Sequence, residues 1–154
     1  MPESYNREAF GAAFNVSRET LDKLSLYYDI LQHWQKRLNL VSARSLDDFW
    51  HRHVADSAQI LAHIDKKPYV WLDIGSGAGF PALIVALLRP AITMHLVESN
   101  HRKAAFLDAI IREIDCPATT HACRAQDLSL PAIDMISARA CAPLSRLLPL
   151  LAPH

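Results

Sequence analysis

The sequence contains few cysteines, no excess of either charge and no long apolar run, and each absence excludes a class of protein. The three cysteines, Cys116, Cys123 and Cys141, are odd in number and lack the paired spacing of a zinc site. We therefore expect no disulfide, no bound metal and a reducing, cytoplasmic environment. The 16 basic residues balance 16 acidic ones, so net charge provides no long-range attraction to nucleic acid and any RNA site must be local.

Targeting and membrane-spanning segments are also missing from the sequence. The N-terminal residues 1–8 lack the apolar core of a signal peptide, and the apolar run 82–88 is far too short to span a bilayer. The chain does have 51% hydrophobic residues in a length of 154, which is enough to bury a substantial core. We expect a globular domain with an appended helical subdomain and no membrane partner.

The most informative stretch is residues 70–81, which read VWLDIGSGAGFP. A short apolar strand is followed by three glycines at alternate positions, a spacing typical of a tight turn that lets a ligand approach the backbone. Counted from Asp73 the pattern is D-x-G-x-G-x-G. A dinucleotide fingerprint, G-x-G-x-x-G, would need glycine where Phe80 stands. The spacing therefore favours an adenosyl ligand without a pyrophosphate over a dinucleotide.

Glu98 is the expected partner of this turn. It ends the next apolar strand, residues 94–98, where nucleotide-binding α/β folds place an acidic residue that accepts hydrogen bonds from ribose hydroxyls. The alternative interpretation is a tight strand-to-helix turn beside a surface glutamate.

Residues 1–67 are predicted to form an N-terminal helical cap. Ser17 is a plausible N-cap for an amphipathic helix that runs to about Arg37, and a capping box at Ser45 would open a second helix. Residues 1–16 are weakly periodic, so we expect only a frayed helical arm there.

The second cap helix carries a polar patch. His53, Asp56 and Ser57 stand at i, i+3 and i+4 beside Arg52, which would place them on one face of an α-helix. One interpretation is an internally satisfied buried network that fixes the helix against the neighbouring domain. The other is a joint role at the rim of an active site.

Residues 68–154 are predicted to form an α/β domain, because strands and helices alternate from Val70 onward as in a parallel sheet. Two further sites follow strand ends. A backbone amide of Ala125 or Gln126, after a third strand at 118–123, could contact an adenine ring, or the segment could be an ordinary polar turn. Arg139, after a fourth strand at 133–137, would lie at the ligand-binding edge of the sheet or form a surface salt bridge. Asn100 is predicted to cap the helix between the second strand, at 94–98, and the third.

Three further segments carry a family resemblance. They are residues 39–42 (NLVS), 52–57 (RHVADS) and 136–140 (ISARA). With the glycine turn they resemble the RsmG family, also called GidB, which methylates N7 of a guanine in the 16S ribosomal RNA of the bacterial small subunit. The resemblance implies a Rossmann-like class I S-adenosylmethionine-dependent methyltransferase fold with an N-terminal helical cap.

The resemblance also implies roles for individual residues. Substrate positioning would fall to Arg52, His53, Asp56 and Ser57. Contacts to S-adenosyl-L-methionine would come from Asp73, Gly75, Gly77, Gly79, Phe80, Glu98, Ala125, Gln126 and Arg139. The implied partner is small-subunit ribosomal RNA in an assembled or partly assembled subunit, with no DNA and no membrane, and the full-length protein is expected to be a monomer.

The position of His154 limits these expectations. Complete members of the family continue through further strands, so we expect a fragment or a naturally shortened copy, with the strand at 133–137 as an uncovered edge. Three alternatives stay open: a methyltransferase acting on another substrate, a truncated remnant that binds the cofactor without catalysis, and a nicotinamide-dependent oxidoreductase, which Phe80 disfavours.

Overall fold

A computed structural model describes residues 5–139 and 144–151, which leaves Ala140 and Cys141 outside the described part. The helices are α1 (Arg7–Phe14), α2 (Arg18–Gln35), α3 (Ala43–Asp47), α4 (Asp56–Ala58), α5 (Ala82–Leu88), α6 (His101–Glu113) and α7 (Leu144–Leu151). The strands are β1 (Val70–Ile74), β2 (Thr93–Val97), β3 (Ala118–His121) and β4 (Met135–Ala138). A π-helical segment, Trp50–Ala55, precedes α4, and a 3₁₀ segment, Gln59–His63, follows it.

The four strands form one parallel sheet in the order β3-β2-β1-β4. The chain moves from β1 through β2 to β3 and then returns to the other side of β1 with β4. Strand order therefore reverses between β1 and β4, and open α/β sheets bind ligands outside the carboxyl ends of strands at such a point. The predicted Rossmann-like α/β fold is confirmed, with β4 as an outer strand of the described sheet.

Hydrogen bonds between polar side chains link β1 to β4. The indole N–H of Trp71 donates to the Ser137 hydroxyl at 2.9 Å, and that hydroxyl donates to Asp73 Oδ1 at 2.5 Å. Asp73 is 1% exposed, so these bonds are shielded from water. The chain of hydrogen bonds fixes the end of β4, from which Arg139 extends, against the strand that leads into the glycine turn.

The first two cap helices only partly match their predictions. Ser17 caps α2 as expected, with its hydroxyl accepting from the Thr20 amide at 3.1 Å. The frayed arm predicted for residues 1–16 is wrong, because α1 is capped by Asn6 and buries Phe10 completely. Phe10 packs against Trp50 at 5.9 Å between ring centroids. Tertiary packing, which local periodicity does not report, stabilises this short helix.

The second cap helix starts earlier than predicted and is not continuous. Ser42, not Ser45, is the N-cap of α3, since its hydroxyl accepts from the Ser45 amide at 3.2 Å. The helix ends at Asp47, and the chain then passes through the π-helical segment into α4. The extra residue per turn in a π-helical segment rotates the following side chains relative to an α-helix.

The cap and the sheet share one hydrophobic core. Tyr27 of α2 is fully buried against the sheet side, and its hydroxyl donates to the Ala78 carbonyl in the turn after β1. Its ring stacks on that of Phe80, with the ring centroids 5.3 Å apart and an interplanar angle of 15°. Because the core continues across residues 67 and 68, the boundary between cap and α/β domain stays a prediction.

Among the residues that the structure describes, no helix is both long and apolar enough to cross a membrane.

Candidate active site

The turn that follows β1, residues 75–80, is called the glycine turn here. Its glycines at 75, 77 and 79 all have positive φ angles, of 64°, 53° and 93°. At Gly79 a methyl group would lie 2.6 Å from the Tyr27 hydroxyl and 2.7 Å from Leu83, so glycine is needed for packing. At Gly77 the nearest atom would be the Gly75 carbonyl at 3.8 Å, so its outward side is open to a ligand.

The glycine turn uses its own backbone amides. Those of Gly75 and Ser76 donate to the Val97 carbonyl at 2.9 and 3.3 Å, and that of Gly79 donates to the Ser76 carbonyl at 2.7 Å. The Gly77 amide donates to Glu98 at 2.8 Å. Phosphate-binding turns work by presenting free amides to the anion. These four amides are occupied and are therefore not free to cradle a pyrophosphate.

Glu98 lies directly after β2, faces the glycine turn and is 7% exposed. One carboxylate oxygen accepts from Gly77 and the other from the Asn100 amide at 3.0 Å. A carboxylate offers about four lone-pair sites, so two sites are left after these bonds. Glu98 therefore stabilises the turn, and its predicted contact with ribose hydroxyls stays a prediction.

A cavity of about 250 Å³, the turn cavity, separates the glycine turn from the cap. The cap side contributes Leu40, Val41, Ser42, Ser45 and His53. The sheet side contributes residues 75–78, Phe80, Lys103 and Arg139. Gly75, Gly77, Phe80 and Arg139 therefore face a cleft at the carboxyl ends of β1 and β4, opposite the cap, whereas the predicted residues Asp73, Gly79 and Glu98 do not line it.

The loop on the cap side is held by one side chain that the sequence analysis missed. Gln35 accepts from the amides of Leu40 and Val41 at 3.0 and 3.1 Å and donates to the Val41 carbonyl at 2.7 Å. The resemblance segment 39–42 pointed to this loop, whereas nothing in the sequence pointed to Gln35 or to Lys103. Both depend on contacts between segments distant in sequence.

His53 is buried at the wall of the turn cavity. Its ring, 4% exposed, stacks on Phe80 at 4.5 Å with an interplanar angle of 17°, and neither ring nitrogen has a hydrogen-bond partner in the described chain. Burial, followed by the positive charge of Arg139, lowers the pKa of His53 to about 4. The ring is therefore neutral near pH 7, with one donor and one acceptor unused.

The predicted polar patch is not a single surface. Ser57 is 1% exposed and its hydroxyl has no partner among the described residues, whereas Arg52 and Asp56 are about half exposed. The internally satisfied buried network is thus wrong for His53 and Ser57. The π-helical segment accounts for the difference, because an i, i+3, i+4 argument assumes 3.6 residues per turn.

Arg139 connects β4 to the cap. Its guanidinium donates to the Arg52 carbonyl at 3.2 Å and lies 3.5 Å from an Asp56 oxygen. It lines the turn cavity and also a second cavity of about 340 Å³, the rim cavity, with Ser45, His51, Arg52 and Asp56. The structure therefore brings Arg52, Asp56 and Arg139 together. Arg139 forms the salt bridge of one interpretation and also lies at the cleft, as in the other.

Asp73 is buried beside the glycine turn. Burial raises its pKa to about 7, although the hydrogen bonds from Ser137 and Ser76 act in the opposite direction. Its second oxygen, Oδ2, has no partner in the described chain. The carboxyl group thus stands close to its ionisation point at neutral pH.

Ala125 and Gln126 form a 3₁₀ turn after β3, at the same edge of the sheet. Ala125 is buried with Leu72 and Val97, whereas Gln126 is exposed. Neither residue lines the turn cavity, so the predicted adenine contact stays a prediction. Within the described residues, no group of three His, Cys, Asp or Glu side chains is placed to hold a metal ion.

Comparisons with known proteins point to one family. Residues 20–153 match the family model GidB, described as rRNA small subunit methyltransferase G. A protein of Rhodospirillum centenum named ribosomal RNA small subunit methyltransferase G is 50% identical over 149 residues, covering 97% of this chain and 68% of the relative. Proteins of the same name from Parvibaculum lavamentivorans and Cereibacter sphaeroides are 46% and 43% identical, with 99% and 96% of this chain and 70% and 74% of the relatives covered.

The state of His53 leads to a prediction about stability and pH. Its pKa is about 4 in the folded chain against 6.5 ordinarily, so the unfolded chain binds more protons between these values and stability falls as pH drops through this window. Each pKa unit is worth about 1.4 kcal/mol. The free-energy difference between wild type and His53→Gln should therefore shrink by about 3 kcal/mol from pH 7 to pH 4. Denaturant unfolding at both pH values measures it.

The exposed His63, at the end of the 3₁₀ segment, provides the control. Substituting His63→Gln should change the difference from wild type far less between the two pH values, because an exposed side chain lacks the burial that acts on His53. Taking differences also cancels the opposing contribution of Asp73, which is present in all three proteins. A His53→Gln difference that stays constant between pH 7 and pH 4 would show that His53 titrates normally.

Proposed function

This chain belongs to the GidB family of small-subunit rRNA methyltransferases, and we propose that it transfers a methyl group from S-adenosylmethionine to N7 of a guanine in 16S rRNA. Membership in the family establishes the enzyme class. The cofactor, the base and the atom methylated are parts of the proposal. The observation that carries it is the glycine turn, whose bonded amides and open Gly77 suit an adenosyl ligand without phosphates.

Gly77 in the turn cavity, and Asp73 and Glu98 beside the glycine turn, fit S-adenosylmethionine in several respects. Gly77 allows close approach to the backbone, Glu98 keeps two lone-pair sites for ribose hydroxyls, and the unpaired oxygen of Asp73 could accept from a cationic amine. On this proposal Phe80 supports the cleft wall through its stack with His53, and Ala125 and Gln126 contact the adenine. A nicotinamide dinucleotide, the main rival cofactor, would need free amides for its phosphates, and four amides of the turn are already bonded.

Methyl transfer to guanine N7 makes modest chemical demands. S-adenosylmethionine supplies an activated methyl group, and N7 carries a lone pair and no proton, so no general base is required. The protein must hold nucleophile, methyl carbon and sulfur in line, a task worth about 7 to 11 kcal/mol. The neutral, unpaired His53 between cap and turn suits such positioning, with the buried Ser57 supporting its segment.

Asp56 is the candidate for stabilising the product's charge. Methylation at N7 leaves the guanine positively charged, and Asp56 presents a half-exposed carboxylate in the rim cavity. Gln59 donates to it at 2.8 Å, whereas Arg139 stays 3.5 Å away, beyond the usual 2.7 to 2.9 Å of a charge-assisted hydrogen bond. We propose that an RNA phosphate draws Arg139 away and frees Asp56 to face the base, with Arg52 at the rim.

The wider assignment follows the same reasoning. We propose that the substrate is an assembled or partly assembled small subunit, that DNA and membranes are not partners, and that the full-length protein acts as a cytoplasmic monomer. The support comes from the family and from the local character of the basic sites in a chain without net charge.

The first prediction of this proposal concerns the cofactor. S-adenosylmethionine or its demethylated product should raise the melting temperature, because a ligand at 100 times its Kd stabilises the folded state by about 2.7 kcal/mol. NAD should cause no comparable shift. Differential scanning fluorimetry with each ligand decides between them, and a larger shift with NAD would contradict the proposal.

Two glycine variants refine this test. Gly77→Val should abolish the shift caused by S-adenosylmethionine, while left-handed backbone strain lowers stability by only about 1 to 2 kcal/mol. Gly79→Ala should instead lower the melting temperature of the free protein, because its methyl group meets Tyr27 and Leu83. A full ligand-induced shift in Gly77→Val would show that the ligand does not approach this backbone.

The second prediction concerns the substrate. Small-subunit RNA from cells that lack the gene should contain less 7-methylguanosine than RNA from the parent strain, and the gene should restore it. Digestion to nucleosides followed by mass spectrometry measures the content. An unchanged content of 7-methylguanosine in small-subunit RNA would leave the family membership intact but remove the assignment to guanine N7.

The third prediction concerns Asp56. Substituting Asp56→Ala should lower kcat by at least tenfold, about 1.4 kcal/mol, while the affinity for S-adenosylmethionine stays unchanged. Asp108→Asn removes an exposed carboxylate on α6 and serves as the control. Methyl-transfer assays and ligand titrations separate the two effects, and full activity in Asp56→Ala would exclude the role.

A further inference from the structure

A second basic site lies outside the cavities described above. His33, Trp34, Arg37, Leu38 and Arg102 line a pocket of about 330 Å³, here called the arginine pocket. Its two arginines come from segments distant in sequence, the end of α2 and the first turn of α6. They are brought together by a hydrogen bond at 3.1 Å, in which the Arg102 guanidinium donates to the Arg37 carbonyl.

Carboxylates of the described residues do not pair with the positive charges of this pocket. In the described part of the chain, neither Arg37 nor Arg102 forms an ion pair with a carboxylate. The first turn of α6 holds His101, Arg102 and Lys103 and no acidic residue. Cations at a helix N-terminus are unfavourable because the helix dipole is positive there. An anion bound beside Arg102 would offset this unfavourable interaction.

The arginine pocket adjoins the turn cavity. On α6, Arg102 lines the arginine pocket and the next residue, Lys103, lines the turn cavity. On the cap side, Leu38 lines the arginine pocket and Leu40 lines the turn cavity. An RNA strand whose guanine enters the cleft near Arg139 and which then passes Lys103 would therefore come close to Arg102 and Arg37.

The pocket also has an aromatic and apolar wall. Trp34 is partly buried and packs edge-on against Phe106, with the ring centroids 5.7 Å apart, and Leu38 is 8% exposed. An aromatic surface next to arginines is the combination with which proteins bind single-stranded nucleic acid, by stacking on the base and pairing with the phosphate. A patch that only attracted acidic side chains would need no aromatic surface.

We propose that the arginine pocket binds an unpaired nucleotide of the substrate RNA, with Arg37 and Arg102 on a backbone phosphate and Trp34 beside the base. The proposal rests on the rRNA substrate proposed above and adds the surface that holds the strand next to the reacting base. Arg37 and Arg102 are thus positioning residues, which act on RNA affinity and not on methyl transfer itself.

The test measures binding of RNA as a function of salt. Arg37→Gln and Arg102→Gln, alone and combined, are compared with wild type on protein-free 16S rRNA and on small subunits. Because both arginines contact one phosphate, the double variant should lower the slope of log affinity against log salt by about one unit, and each single variant by less. Trp34→Leu should weaken binding by about tenfold at every salt concentration without changing the slope.

The matched control is Arg112→Gln, which removes an arginine from the last turn of the same helix, where it is exposed and next to Glu113. It should leave the slope unchanged. In methylation assays the pocket variants should raise KM for RNA and leave both kcat and the affinity for S-adenosylmethionine unchanged. An unchanged slope in the double arginine variant, or an equal change in Arg112→Gln, would overturn the proposal.

Comparing the two RNA substrates also separates this proposal from its rivals. Loss of binding to subunits but not to protein-free 16S rRNA would assign the pocket to an acidic ribosomal protein and overturn it. Because the binding assay needs no methyl transfer, a wild type that binds 16S rRNA through this pocket but never methylates it would refute the proposed function alone.

Discussion

The arrangement of the site depends on one stack of three rings, Tyr27, Phe80 and His53. Tyr27 and His53 belong to the cap and lie on either side of Phe80 in the glycine turn, at 5.3 and 4.5 Å. Such pairs contribute about 0.5 to 1.5 kcal/mol each beyond the area they bury, and the bond from Tyr27 to the Ala78 carbonyl fixes the turn from the same side. Without this stack the cap could shift on the sheet, and the turn cavity would lose its far wall.

The stack also leaves buried polar atoms without hydrogen-bond partners, which lowers stability. Placing His53 between Phe80 and the cap buries two ring nitrogens without partners, and Asp73 likewise keeps one unpaired oxygen. An unsatisfied buried polar group costs about 1 to 3 kcal/mol. Both groups respond by favouring their neutral forms, since burial lowers the pKa of His53 and raises that of Asp73. Unpaired polar atoms beside a cleft are the pattern expected where a ligand supplies the missing partners.

The parts of the fold that depend on local sequence were predictable. The spacing from Asp73 to Phe80 predicted the turn, and Ser17 and Asn100 were recognised as helix caps because capping uses a side chain near its own backbone. The π-helical segment and the burial of Phe10 were not predictable, since both depend on packing between distant residues. The bond from the Gly77 amide to Glu98 was not predictable either, because it joins two segments distant in sequence. The sequence indicated only a ligand contact for Glu98.

The residues of the site come from two parts of the chain that long-range contacts bring together. The sheet contributes the glycine turn, Glu98 and Asp73, all within the first two strands, so this half of the site forms locally. The cap contributes Arg52, His53 and Asp56, and Arg139 at the end of β4 joins the halves by contacting Arg52 and Asp56. Because the bonds from Trp71 through Ser137 to Asp73 anchor β4 to β1, a disturbance of β4 would reach Asp73 beside the glycine turn as well as Arg139 and Asp56. The two halves of the site are therefore coupled through β4, although their residues come from different parts of the chain.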